Sequence, residues 1–293
     1  GAHTGTGTGR LASSQPNVQN IPREPYTLSA LGAGAGARAD GGAAVAPALH
    51  VICVRDAIVP HGGAGALLSA DYSQLEVRIL ALLSRDAALC ARLSSEADIF
   101  RTIGAAILGK PAALIDDGER AMTKKVLYAL IYGLGTERLA AELKVPTARA
   151  QQLKGVLLSR FGQLRDFIDS CKNAARRNGH VRTLGGRRRP LPAIASVVDE
   201  ERARAERQCV NSIVQGTAAD IVKASMVLAE RALAAAALGE RVRLIAQIHD
   251  ELLFEVVERA DVPRAAAAVR RAMEGVCQDA VSYTHLRAHE TRH

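Results

Sequence analysis

Leu67-Leu68-Ser69-Ala70-Asp71-Tyr72-Ser73-Gln74-Leu75-Glu76 and, far downstream, Ala246-Gln247-Ile248-His249-Asp250-Glu251-Leu252-Leu253 are the stretches whose reading decides the fold. Each is an apolar run that delivers an aspartate at a turn. Short apolar runs bounded by turn residues predict buried strands. Two aspartates at the tips of neighbouring strands make a place for hard divalent cations, which take oxygen ligands. Between the two runs lies Arg120-Ala121-Met122-Thr123-Lys124-Lys125-Val126-Leu127-Tyr128-Ala129-Leu130-Ile131-Tyr132-Gly133. Arg120, Lys124 and Tyr128 are four apart, and on a helix each such step drifts by only about 40°. They share one face, and Met122, Val126, Ala129 and Leu130 are expected to bury on another. Two cations beside an aromatic suit a triphosphate plus a base. On a helix standing alone the same pattern would mean no more than solvated cations.

Working outward, the first strand switches to a helical period after Asp71. Leu75, Ile79, Leu82 and Leu83 are expected to bury one face, with Glu76 about a turn into the helix. Upstream, residues 51–59 read as another strand, closed by Pro60-His61-Gly62-Gly63. The Gly/Ala-rich run 31–48 cannot bury enough apolar surface to offset its ordering entropy and reads as a flexible insert. Further upstream, Thr8-Gly9-Arg10-Leu11 and Gln15-Pro16-Asn17-Val18-Gln19-Asn20-Ile21-Pro22 form a polar, proline-closed loop.

Downstream, helices are expected from residue 97 to 108, 136 to 143, 147 to 161 and 164 to 178. Asp116-Asp117-Gly118-Glu119 supplies acidic capping for the central helix. Gly185-Gly186-Arg187-Arg188-Arg189-Pro190 reads as a basic loop. Residues 200–238 are helical, with Arg207, Asn211 and Gln215 on one face and Val210 and Val214 buried on another. Residues 243–248 and 252–256 form a hairpin around His249-Asp250-Glu251. A basic amphipathic helix over 262–277 is expected on the back of the sheet. The composition breaks at Ser282, and residues 280–293 read as a tail foreign to the fold.

The chain has 293 residues, 48% of them hydrophobic, and a formal charge of +8. It is long enough for a substantial core and one or two domains. Its longest apolar runs are too short to span a bilayer, and no secretory leader is expected, so no membrane partner is either. Cys53, Cys90, Cys171, Cys209 and Cys277 are scattered and odd in number, which predicts free thiols. The basic balance suits a polyanionic partner, although Arg-rich composition alone does not decide it. Aromatics at 3% argue against a single-strand binder built on stacked rings.

Taken together, Asp71-Tyr72-Ser73-Gln74-Leu75-Glu76, the string Arg120, Lys124, Tyr128, Tyr132-Gly133, and His249-Asp250-Glu251 resemble motifs A, B and C of the polymerase I (family A) DNA polymerases. Thr8-Gly9-Arg10, Pro16-Asn17-Val18-Gln19-Asn20-Ile21-Pro22 and the segment from Glu206-Arg207-Gln208 to Asp220 resemble further signatures of that family. The resemblance runs from about residue 3 to 278 and looks closest to the eukaryotic polymerase nu and theta branch. It implies an α+β fold of the right-hand type, with an antiparallel palm sheet and a mostly helical fingers lobe. The implied division is palm over 1–92 and 205–279 and fingers over 93–204. The thumb, exonuclease or helicase regions and last strands of the family are not recognised, so the chain reads as part of a longer protein.

By the same resemblance the chemistry is two-metal nucleotidyl transfer from a dNTP to a primer 3′-hydroxyl, serving repair or lesion bypass. Asp71, Asp250 and the Tyr72 carbonyl would hold two Mg²⁺, with Mn²⁺ as an alternative. Glu251 would assist through water. Arg120 and Lys124 would hold the phosphates, Lys124 counting with the catalytic groups. Gln74, Tyr128 and Tyr132 would contact the nucleotide, and Glu76 would block a 2′-hydroxyl. A Tyr where many members have Phe implies acceptance of dideoxynucleotides. Gly133 would abut the templating base. Arg10, Asn17, Gln19, Asn20, Arg207, Asn211, Gln215 and His249 would touch the primer–template, where minor-groove acceptors are similar for every base pair. The partners are primer–template DNA and dNTPs, the expected state is a monomer, and the expected compartment is the nucleus, with mitochondrion or plastid as alternatives. Two other readings stand beside this one: a truncated, non-catalytic DNA-binding fragment, and a relative of the single-subunit RNA polymerases. Glu76 argues against the latter.

Overall fold

The computed structural model describes residues 2–3, 6–13, 19, 26–29, 49–52, 58–61, 63–94 and 98–280. Asn17, Asn20, the Gly/Ala-rich run 31–48 and the tail from 281 onward lie outside the described residues.

A three-stranded antiparallel sheet forms the base of the site. β5 (Ala66–Asp71), β8 (Val242–Ile248) and β9 (Glu251–Val256) stand in the order β5-β9-β8. The middle strand β9 is covered on both faces, so Leu252, Leu253, Phe254 and Val256 form a nearly continuous apolar string. The edge strand β8 exposes Arg243 and Ile245 and carries an irregularity between Leu244 and Ala246. Among the described residues, three two-stranded antiparallel ribbons accompany it: β1 (Ala2–His3) with β2 (Ala12–Ser13), β3 (Tyr26–Ser29) with β4 (Leu49–Ile52), and β6 (His180–Arg182) with β7 (Arg188–Pro190). The strand expected over 51–59 is therefore displaced. It begins at Leu49 and ends at Ile52, residues 53–57 lie outside the described residues, and Val59 is solvent-exposed loop.

The helices are α1 (Leu75–Ser84), α2 (Ala87–Ser94), α3 (Ile99–Leu108), α4 (Asp117–Ile131), α5 (Thr136–Leu143), α6 (Thr147–Arg160), α7 (Gly162–Asn178), α8 (Asp199–Ala235) and α9 (Val262–Ala280). α9 packs on α8 and β5, which closes the back of the sheet as expected. Tyr72 pins these layers together. Its side chain is buried, its hydroxyl donates to the Met273 carbonyl of α9 (2.8 Å), and it also meets Ser225 Oγ of α8. α3, α4, α5 and α6 pack on one another as a helical lobe, and α1 joins that lobe to the sheet through α7 and α8. No helix among the described residues is long and apolar enough to cross a membrane. Cys90, Cys171 and Cys209 are free thiols.

Two expected burial patterns change in the packed molecule. α1 is enclosed by α2, α7 and α8, so Val77, Leu80, Ala81 and Ser84 are buried along with Leu75 and Ile79. Leu82 and Leu83, expected to bury on the same face as Leu75 and Ile79, are only half-buried. On α4, Val126, Ala129 and Leu130 bury as expected, but Met122 is half-buried and Thr123 fully buried. The cause is Gly104 of α3: a Cβ there would lie 2.8 Å from Thr123 Oγ1, so the two helices meet at these small residues. α4 begins with a capping box in which Glu119 N donates to Asp116 Oδ1 (2.8 Å) and Asp116 N to Glu119 Oε2 (3.0 Å).

Candidate active site

Asp71 is the last residue of β5, and Asp250 lies in the turn between β8 and β9. The turn is tight enough that His249 takes a left-handed backbone, with φ 56°. The backbone N–H of Tyr72 donates to the Asp250 carbonyl (3.2 Å), and Asp71 faces Glu251 across the ladder. Both expected aspartates thus sit at one end of the sheet. Gln74, also left-handed at φ 57°, turns the chain from β5 into α1 without a side-chain cap. Glu76 follows in the first turn of α1 and is 4% exposed.

Glu76 is a junction and not a solvated helix glutamate. Oε1 takes an ion pair from Arg10, and Oε2 accepts from the Tyr132 hydroxyl (3.0 Å). Tyr128 Oη donates to Gln74 Oε1 (3.3 Å), and the Tyr128 and Tyr132 rings lie 5.6 Å apart. The N-terminal segment, α1 and the end of α4 therefore converge beside the aspartates. Burial chiefly, then Glu76 and Asp250, push the Tyr128 hydroxyl up to about 12, with Arg10 opposing. Burial and Glu76 raise Tyr132 as well, so both phenols stay neutral donors.

Asp250 is pushed up to about 6, mainly by burial; Arg10 opposes, and Glu76 and Asp71 add to the rise. Repulsion between carboxylates is what a divalent cation relieves. The ligands expected from the sequence, Asp71, Asp250 and the Tyr72 carbonyl, offer oxygen donors only. Among the described residues no group of three or more His, Cys, Asp or Glu side chains forms a cage. Mg²⁺ commonly keeps waters and takes one or two carboxylates plus substrate phosphates, so these residues fit it. Glu251 is buried at 6% exposure and accepts from Ser69 Oγ (2.5 Å), which holds it within the sheet.

On α4, Arg120 Nε donates to Asp98 Oδ2 (2.7 Å). Lys124 Nζ lies 5.8 Å from the Phe100 ring centroid and 6.0 Å from that of Tyr128. Arg120 is eight residues before Tyr128, about 12 Å along the axis, and so lies farther from the aspartates. Gly133 ends the helix at φ +64°, and a Cβ on it would meet Arg207 Cα and Cβ at 2.8 Å. Glycine is required there twice over, for the backbone conformation and for the approach of α8. Arg207 is exposed, while Asn211 and Gln215 are half-buried on the same row of α8. Among the described residues, the buried Asn211 Oδ1 has no hydrogen-bond partner.

Gln19 and His249 meet each other. The His249 N–H donates to Gln19 Oε1 (3.0 Å), and Gln19 Nε2 donates to the carbonyl (2.6 Å) and Oε1 (3.0 Å) of Gln247. Gln19 thereby clamps the turn that carries Asp250. A small pocket is lined by Arg10, Lys223, Gln247, His249 and Asp250. Lys223 and Gln247 were not anticipated from the sequence. Lys223 continues the four-residue row of Arg207, Asn211 and Gln215, and that spacing is the signal that points to it.

The basic loop is not a uniformly solvated one. Arg187 donates from Nε to Asp220 Oδ1 (2.9 Å) and from Nη2 to the carbonyls of Thr8 (2.7 Å) and Gly216 (3.1 Å). Arg189 donates to Ser212 Oγ (2.7 Å), while Arg188 is exposed. Arg187 thereby ties Thr8 to α8, and Arg189, alternating with its exposed neighbours along β7, turns inward to α8.

Comparison with known proteins places this geometry. A family model described as DNA polymerase family A matches residues 2–285. DNA polymerase I of Mycobacterium bovis is 36% identical over 268 residues, covering 92% of this chain and 27% of that protein. DNA polymerase theta of Drosophila melanogaster is 36% identical over 258 residues, covering 86% of this chain and 12% of that protein. The chain thus spans about a quarter of the bacterial relative's length. Among solved structures, the polymerase domain of Pol1 from M. smegmatis, in complex with DNA primer–template and dNTP, superposes with a TM-score of 0.78 at 34% identity. The match covers 92% of this chain and 43% of that one.

Proposed function

Because the chain belongs to DNA polymerase family A and has its α+β polymerase fold, we propose that it is the palm and fingers of a template-directed DNA polymerase acting in repair or lesion bypass. The palm is residues 1–92 and 205–279, and the fingers are 93–204. The observation that carries this reading is the meeting of Asp71 and Asp250 beside the Glu76–Arg10–Tyr132 junction. Asp71, Asp250 and the Tyr72 carbonyl would hold two Mg²⁺, or Mn²⁺, which supply acidification of the primer 3′-hydroxyl and neutralise the leaving pyrophosphate.

The chain's own residues bind and orient. Arg120 and Lys124 hold the triphosphate, Tyr128 stacks on the nucleotide, and Tyr132 with Gly133 abuts the templating base. The neutral Tyr128 hydroxyl occupies the space beside the sugar, so dideoxynucleotides are accepted. Glu76, fixed by Arg10 and Tyr132, lies where a 2′-hydroxyl would point. Arg10, Asn17, Gln19, Asn20, Arg207, Asn211, Gln215 and His249 contact the primer–template. Its share of catalysis is positioning and charge neutralisation, as in other phosphoryl transfers. The protein works as a monomer, in the nucleus.

The test is single-nucleotide extension of a primer–template with Mg²⁺. Asp71→Ala or Asp250→Ala is expected to cost at least ~10³-fold in rate, about 4 kcal/mol. Extension near the wild-type rate by either variant removes the metal-site assignment. Salt-sensitive duplex binding without any extension favours the non-catalytic fragment. Extension with rNTPs in preference to dNTPs favours an RNA polymerase relative.

A further inference from the structure

Asp98 stands outside every motif discussed so far, yet its two carboxylate oxygens divide two tasks. Oδ1 caps α3, accepting from the backbone N–H groups of Phe100 (2.9 Å) and Arg101 (3.0 Å). Oδ2 accepts from Arg120 Nε at 2.7 Å. Two residues on, Phe100 lies under Arg120 and Lys124 of α4, with the Arg120 guanidinium carbon 5.5 Å and Lys124 Nζ 5.8 Å from its centroid. A guanidinium engaged through Nε and laid near a ring keeps its two terminal nitrogens as a fixed fork, the shape that binds phosphate oxygens in bidentate fashion. Among the described residues neither terminal nitrogen of Arg120 has a hydrogen-bond partner.

We propose that Asp98 is a positioning residue, which aims the Arg120 guanidinium fork at the triphosphate of the incoming nucleotide. This rests on the reading of Arg120 as a phosphate-binding group. The opposing effect is repulsion between the Asp98 carboxylate and the phosphates. Asp98 and Arg120 are 33% and 36% exposed, so solvent screens that repulsion. A hydrogen bond holding direction is not lost in the same way, and orientation prevails. The burial that would raise the Asp98 carboxyl is outweighed by hydrogen bonds from Arg120 and the α3 backbone, which keep it below its ordinary value and ionised at neutral pH.

The divided roles make a clean test. Asp98→Asn keeps an oxygen to cap α3 and replaces the one facing Arg120 by a donor that cannot hold a guanidinium. Affinities for dATP and for inorganic tripolyphosphate are measured by titration calorimetry without DNA or divalent metal, for the wild type, Asp98→Asn, Arg120→Ala and the double variant. The expected result is that Asp98→Asn weakens both ligands about tenfold at an unchanged unfolding temperature, and that the double variant is no weaker than Arg120→Ala alone. Wild-type or tighter binding by Asp98→Asn, or additive losses in the double variant, overturns the proposal and leaves Asp98 a helix cap. If Arg120→Ala itself binds both ligands like the wild type, the phosphate-binding reading of Arg120 fails, and the positioning role fails with it.

Discussion

A carboxylate that is 4% exposed survives only when every lone pair has work to do, and Glu76 meets that condition through two chain segments distant in sequence. Arg10 neutralises it, and Tyr132 donates to its other oxygen. Removing the carboxylate leaves a guanidinium one-third exposed and a half-buried phenol without their acceptor. Glu76→Ala is therefore expected to destabilise the fold by about 2 kcal/mol, short of the loss for a fully buried pair because Arg10 recovers some hydration. Urea unfolding of wild type and variant measures it. A loss below about 0.5 kcal/mol would mean that the junction is solvated in solution. Glu76→Gln separates charge from shape: it retains an acceptor for Tyr132 and loses the Arg10 ion pair, so its destabilisation is expected to fall between the two.

At the scale of elements, the start of α2 and the start of α7 cap each other. Asp86 Oδ1 accepts from Leu89 N (3.0 Å) and Oδ2 from Leu164 N (3.4 Å), while Gln163 Oε1 accepts from Ala87 N (3.0 Å). One buried aspartate thus serves two helix N-termini far apart in sequence. Each cap is worth about 1 kcal/mol, so Asp86→Ala is expected to cost about 2 kcal/mol. Amide hydrogen exchange at the first turns of both helices locates the effect: faster exchange in α2 alone would show that the longer bond to α7 contributes nothing. This device illustrates what the sequence could and could not disclose. The ends of α3, α5 and α7 were legible because their stop signals are local. The distant partner of Asp86 was not, because nothing near residue 86 announces residue 164. The same holds for Thr123, buried by a glycine on another helix, and for Leu82 and Leu83, whose burial is set by how many neighbours surround α1.

For the whole molecule, the approach of the two aspartates was legible and its scaffolding was not. Asp71 and Asp250 each follow an apolar run and precede a turn, so their meeting at one sheet end could be read from pattern. The inward turn of Arg187 and Arg189 could not, because three successive arginines look alike until strand alternation and the carbonyls of Thr8 and Gly216 distinguish them. This bears on how the net charge of +8 acts. Under the proposed function, arginines already bonded within the chain would release few counterions to a duplex, and the electrostatic contribution would fall on those left exposed near the site. Arg207 is one: exposed on α8, beside Gly133 and without an ion pair among the described residues. Arg231 is equally exposed on the same helix but 24 residues on, about 36 Å away. The affinity for a primer–template should fall linearly with salt on a double-logarithmic plot. Arg207→Ala is expected to weaken binding across all sequences and reduce the slope by about 1, while Arg231→Ala leaves the slope unchanged. Equal changes from the two variants would mean that duplex binding follows total charge, and that the row from Arg207 to Gln215 is not the face on which the duplex lies.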